Sequence, residues 1–307
     1  VTLENYLEVL ADASKPLKHA DLTRLSSVDS EDLRTLEATW VQVGLQRRVQ
    51  IVTRMAELAE DDLTLDFTPI FVMALKDPDE QVRERSVAGL WECEDRHLIS
   101  PLIKLLQCDE AESVRATAAQ GLGNFASLAE GYKLPPKDRD RILQVLLETL
   151  ANTSETLLVR RRAMEAVSPI SAEAVTQVIQ RAYEDADPEM RRSAVYAMGR
   201  NADPIWFSVI LKEIGSSEAG MRYEAACACG ELGQEAAIPR MFPLLRDDDM
   251  EVRLGAIRAL GAIGGSVAKK ALASCARSPD EIVREAAQDA LEQADFNADP
   301  LSFTFTP

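Results

Sequence analysis

Positive charge is what this sequence has least of in proportion. Lys plus Arg number 34 against 51 Asp plus Glu, a formal charge of -17 over 307 residues. A protein that tracks a phosphate backbone needs a basic footprint, so free nucleic acid is not an expected ligand, and an anionic membrane surface is disfavoured for the same reason. Histidine is almost absent. His19 and His97 have no companion at metal-ligand spacing, so neither a metal site nor another cofactor is expected. Five cysteines, Cys93, Cys108, Cys227, Cys229 and Cys275, show no disulfide framework and fall inside helical patterns, which points to a reducing compartment. Cys227-x-Cys229 has no second Cys or His pair, and positions two apart on a helix face different ways, so the pair reads as core. No apolar run is long enough to span a bilayer and no signal-like start is visible, leaving cytoplasm as the expected compartment.

What the chain has is a repeat. Its clearest copy runs from Asp247 through Arg253 to Gly261: an acid, six residues on an arginine, then small and apolar positions at helical spacing. The phrase centres on Arg83, Arg115, Arg160, Arg191, Arg222, Arg253 and Arg284, at spacings of 32, 45, 31, 31, 31 and 31. A weaker copy centres on Arg48. A period in this range means one supersecondary unit stacked many times, each burying its apolar face on its neighbours.

The start of the chain, residues 1–29, reads as a helical cap, with Leu3, Tyr6, Leu7 and Leu10 on one stripe and a short second helix marked by Leu17, Leu22 and Leu25. Residues 30–295 then hold about eight helix pairs. Ser30 reads as an N-cap, with a helix to about Val43 and a second from Arg47 to Ala59. First helices carry Pro69, Pro101 and Pro239. Asp77, Asp109 and Ser278 stand three residues before a Glu, the capping-box spacing, with Pro78 and Pro279 at the first helical position. Ala118, Ala163, Ala194, Ala225, Ala256 and Ala287 lie three after the arginine, and Gly199, Gly230 and Gly261 eight after, as close packing demands. Gly264 and Gly265 terminate a helix. The 45-residue spacing inserts a segment at 126–139, predicted as an extended second helix, a loop from Gly131 to Pro136 and a longer first helix. After Phe296, the tail 296–307 alternates Leu301, Phe303 and Phe305 with polar residues in a strand-like pattern.

The register Pro101, Asp109, Arg115, repeated as Pro69, Asp77, Arg83 and Pro239, Asp247, Arg253, together with the Val-Arg-x-x-Ala-x-x-Ala-Leu-Gly phrase, resembles HEAT repeats. The short bacterial type, also seen in phycobilisome lyase-like proteins, is the nearest in character. The resemblance covers residues 30–295. It implies an all-α fold, a right-handed α-α superhelix with second helices on the concave side. It also implies that each turn acid and the arginine six residues later form a ladder between repeats. Ser154, Ser216 and Ser278 stand where the acid would be, so the ladder is expected to break there. Arg253 is expected to reach an acid on a neighbouring repeat while Asp247 caps its own helix.

Positions one, five and nine after each arginine form one stripe along each second helix. It is acidic at the ends, with Glu84, Glu92, Glu285 and Asp289, and carries Arg161, Arg192, Tyr196, Arg200, Tyr223 and Arg258 in the middle. Tyr and Arg are enriched at binding hot spots, and arginine forks carboxylates or phosphates bidentately. These six residues are the candidate partner-binding site. No catalytic constellation stands out. The expectation is a non-enzymatic scaffold or adaptor, a monomer or weak homodimer that grips a protein partner on its concave face. A tetrapyrrole (bilin) lyase or chaperone is the alternative the repeat subtype suggests. A HEAT-like DNA glycosylase is a further one that the net charge opposes.

Overall fold

A computed structural model describes residues 10–12, 14–18 and 22–298. The described residues hold sixteen α-helices and no strand. They pair in chain order. The first compact unit, Val1–Val167, contains α1 (Ser30–Trp40) with α2 (Leu45–Asp61), α3 (Thr68–Ala74) with α4 (Glu80–Ala88), α5 (Ile99–Cys108) with α6 (Glu112–Glu130), and α7 (Pro136–Ala151) with α8 (Leu157–Val167). The second, Ser168–Pro307, contains α9 (Glu173–Tyr183) with α10 (Pro188–Asn201), α11 (Phe207–Glu213) with α12 (Ala219–Leu232), α13 (Ile238–Met241) with α14 (Met250–Ile263), and α15 (Gly265–Cys275) with α16 (Glu281–Ala298). The apolar stripe at Leu3, Tyr6 and Leu7 and the tail at Leu301, Phe303 and Phe305 lie outside the described residues. Leu22 and Leu25 are buried around a 3-10 turn, Thr23–Leu25.

The small positions behave as the spacing predicts. Ala118, Ala163, Ala194, Ala225, Ala256 and Ala287 are all fully buried. The glycine eight after an arginine lets the next second helix approach almost backbone to backbone. A methyl added to Gly199 would sit 2.7 Å from the Ala228 Cα, one on Gly230 2.9 Å from the Ala259 Cα, and one on Gly261 2.8 Å from the Ala290 carbonyl oxygen. In the first unit Gly123 meets Ala166 in the same way, at 3.0 Å. The insertion folds as α6 running on to Glu130, a loop, and α7 from Pro136, with Tyr132 at its tip in the left-handed region and almost fully exposed.

The arginine ladder is real, but its rungs differ from the predicted ones. Arg83 forks Asp109 with two 2.8 Å bonds and donates to the Asp77 and Pro78 carbonyls of its own turn. Arg222 forks Asp247 at 2.7 Å twice and donates to the Ser216 and Ser217 carbonyls. Arg48, the weak first copy, pairs with buried Asp77 at 2.9 Å. Ser154 does not interrupt the ladder, because Glu155, one residue on, takes Arg115 with bonds of 2.9 and 3.0 Å. Arg253 does not reach a neighbouring acid. It donates to the Asp247 carbonyl and towards the Met250 sulfur, and its buried Nε has no partner among the described residues, since the position opposite is Ser278.

The caps also shift. Asp29, not Ser30, caps α1, while Asp79 and Asp249 cap α4 and α14 by accepting from the second and third helical N–H groups. Asp77 and Asp247 instead accept the N–H two residues on and hold the ladder arginine. Pro78 therefore precedes the cap.

Candidate functional site

The repeat places α10, α12 and α14 next to one another in the second unit, because Gly199 and Gly230 remove the side chains that would hold them apart. With 3.6 residues per turn, residues at i, i+4 and i+8 share the outward face. Arg192, Tyr196 and Arg200 line α10, Tyr223 lies on α12 and Arg258 on α14. Tyr196, Arg200 and Arg258 are exposed, whereas Arg192 and Tyr223 are half-buried against the adjoining helices. Arg192 lies over Gly220 and the Tyr223 ring over Gly255; a methyl on either glycine would come 3.0 Å from them. Arg161 lies half-buried on α8 of the first unit.

The electrostatics of this face are mixed rather than basic. Glu189 pairs with Arg192 at 2.5 Å, one turn away on α10, and Glu231 pairs with Arg200 at 3.4 Å from α12. Glu231 stands 31 residues after Arg200, one repeat period, so its place beside it was available from the spacing. Arg258 forms no ion pair among the described residues. Its charge acts on Tyr223 and Cys227, whose pKa values burial raises and Arg258 holds back. Arg192 and Tyr223 line one groove of about 400 Å³ with Glu224, Asp249 and Glu251.

Other candidates are structural. Burial pushes the Cys229 thiol up to about 12, as for a core residue, while Cys227 is half-buried on another side of the helix. His97 is exposed and bonded to Asp95 at 2.7 Å; His19 is outside the described residues. Among the described residues no group of three or more His, Cys, Asp or Glu side chains is placed to hold a metal ion, and no helix is long and apolar enough to cross a membrane.

Stacked antiparallel helix pairs, joined by glycine-alanine contacts and arginine rungs, define an α-α solenoid. A family model described as HEAT repeats matches residues 68–151 and 207–292, and the chain belongs to that family. Two curated relatives are similar to parts of it. One is a deoxyhypusine hydroxylase of Candida albicans, 27% identical over 138 residues, 44% of this chain and 43% of the relative. The other is deoxyhypusine hydroxylase-B of Oryza sativa subsp. japonica, 27% identical over 117 residues, 38% of this chain and 39% of the relative. The chain thus spans about two fifths of the length of the curated relatives it matches. Among solved structures, the CpcE–CpcF complex of phycocyanin lyase from Nostoc sp. PCC7120 matches with a TM-score of 0.54 and 15% identity, covering 85% of this chain and 94% of that one. At that identity the likeness shows the fold alone. The curated relatives overturn one expectation: a non-enzymatic chain was predicted from the lack of a catalytic constellation, and both relatives bear the name of an enzyme. The repeat phrase is common to binders and catalysts, so its recurrence could not exclude an enzyme.

Proposed function

We propose that the outward face of α10, α12 and α14 binds a segment of a partner protein in the cytoplasm, with Arg192, Tyr196, Arg200, Tyr223 and Arg258 as its contacts. The observation that supports this most is Arg258: an exposed guanidinium without an ion pair among the described residues, in a chain of formal charge -17, beside Tyr223. A partner carboxylate satisfies that fork bidentately, and the tyrosines offer amphipathic surface at low entropic cost. The Arg192–Glu189 and Arg200–Glu231 pairs are exposed enough to be worth about 0–1 kcal/mol each, so exchanging their glutamates for a partner's carboxylates costs little. Free cysteines at all five positions accord with a reducing compartment.

The test places a photo-crosslinking residue at Tyr196 in the native host. A discrete adduct that disappears with Arg258→Glu, while helicity and melting stay unchanged, supports the reading. Adducts that persist in the variant, or none at all, overturn it.

A second reading is favoured by the curated relatives: hydroxylation of a deoxyhypusine-bearing peptide. Such chemistry ordinarily runs on a redox metal held by histidine and carboxylate donors, and the described residues offer no such donor set. Incubating the protein with ferrous iron, oxygen and a deoxyhypusine peptide, and looking by mass spectrometry for the gain of one oxygen atom, decides it.

A further inference from the structure

On the first-helix side of the second unit, the repeat of α13 departs from the others. Pro239 falls in the first turn of α13 and Pro243 two residues beyond its end. Proline lacks the N–H and crowds the preceding turn, so α13 stops at Met241 and the chain continues as a 3-10 helix, Phe242–Arg246. Between this broken segment and α15 lies a groove of about 1150 Å³. Its lining is mixed, with an apolar part from Pro239, Phe242, Pro243, Val267, Pro279 and Val283. Phe242 is 39% exposed and Val267 50%.

Arg246, Lys270 and Arg277 stand around the same groove. All three are exposed, and none forms an ion pair or side-chain hydrogen bond among the described residues. In a chain with 51 acids and 34 bases, this groove is lined by three cations and by no carboxylate. Cys275 also lines the groove; burial raises its pKa and the Arg246 charge opposes that rise.

We propose that this groove is a second docking site, independent of the α10–α14 face, and that it takes a short acidic segment of a partner protein bearing aromatic or branched apolar side chains. The apolar groups occupy the trough against Phe242 and Val267. Aspartates or glutamates of the segment meet Arg246, Lys270 and Arg277. Charge complementarity selects this occupant: a basic segment meets three like charges, and a purely apolar one leaves the three cations unanswered.

The test selects short random peptides from a display library against the full chain, with counter-selection on an Arg246→Glu/Lys270→Glu/Arg277→Glu variant. Enriched peptides are then measured by fluorescence anisotropy. The expected consensus combines Leu, Phe or Trp with Asp or Glu. Its affinity falls roughly tenfold or more in the triple variant, about 1.4 kcal/mol or more, and weakens with salt. It also falls in Val267→Ser, which leaves the charges in place. Bound peptide slows alkylation of Cys275 and leaves the other cysteines unchanged. A basic or charge-free consensus, equal binding to the triple variant, or no protection of Cys275 overturns the proposal. So does a concentration-dependent dimer that Val267→Asp abolishes, which would make a second copy of the chain the occupant. All three variants change exposed side chains, and unchanged helicity confirms their folding.

Discussion

Arg222 and Arg253 occupy the same repeat position and have different neighbours. Arg222 meets Asp247, with side chains only 18% and 9% exposed, whereas Arg253 pairs with no acid among the described residues, the equivalent position in the following repeat being Ser278. Arg222→Ala removes a charged fork and two bonds to carbonyls and should cost about 2–3 kcal/mol; Arg253→Ala should cost roughly 1 kcal/mol. Ser278→Asp should supply the missing rung and stabilise by about 1 kcal/mol. Urea unfolding of the three variants checks the order. The Arg222 hydrogen bonds hold the Asp247 carboxyl below its ordinary value of 3.8. A carboxyl depressed in the folded state adds stability that is complete above its unfolded pKa and is lost as pH falls through the folded value. Acid titration should therefore destabilise the wild type below about pH 4 more steeply than Asp247→Asn; equal slopes would refute that role for the rung. The paired aspartates at 77 and 79, and at 247 and 249, explain where sequence reasoning slipped. It gave the first of each pair both the cap and the ladder, but that carboxylate is taken up by the arginine of the preceding repeat, so the second took the cap. Which acid faces which arginine depends on the neighbouring repeat, and a local window does not contain that repeat.

Helices were far more legible than their partners. The 31-residue period gave eight pairs and the buried alanines directly, because a helix that buries one face must write that face into its sequence. The positions of the α10–α14 face were legible, and so was Glu231, which lies on the stripe nine residues after Arg222; Glu189 lies off it, and its pairing with Arg192 was not. The broken first helix at Pro243 was visible as a proline, but the groove beside it depends on α15. Two glycines of α12 separate packing from propensity. A methyl at Gly230 would meet the Ala259 backbone at 2.9 Å, whereas at Gly220 it would meet the movable end of Arg192 at 3.0 Å. Gly230→Ala should destabilise by about 1–3 kcal/mol through overpacking. Gly220→Ala should be neutral or stabilise by up to about 1 kcal/mol, as alanine does in helices. Thermal melts of the two variants, expected to move in opposite directions, decide the point.

At the scale of the molecule, 51 acids against 34 bases leave a self-repelling surface. Salt shortens the Debye length from about 30 Å at 0.01 M to about 8 Å at 0.15 M, relaxing that repulsion while the part-buried rungs are screened less. The melting temperature should rise over that range; a fall would mean that exposed ion pairs outweigh the net charge.

The glycine-alanine joints carry a consequence for the gene. Gly199, Gly230 and Gly261 receive Ala228, Ala259 and Ala290 in the same manner, so a crossover between two misaligned copies rejoins like to like. Duplicating the 31 residues from Glu231 to Gly261 sets the first copy's Gly261 against a second Ala259. It also sets the first copy's Arg253 opposite a second Asp247, the acid it now lacks. A replication slip of that one length would lengthen the chain and add a rung in the same event, so repeat number in such a protein can change without any single residue having to change first.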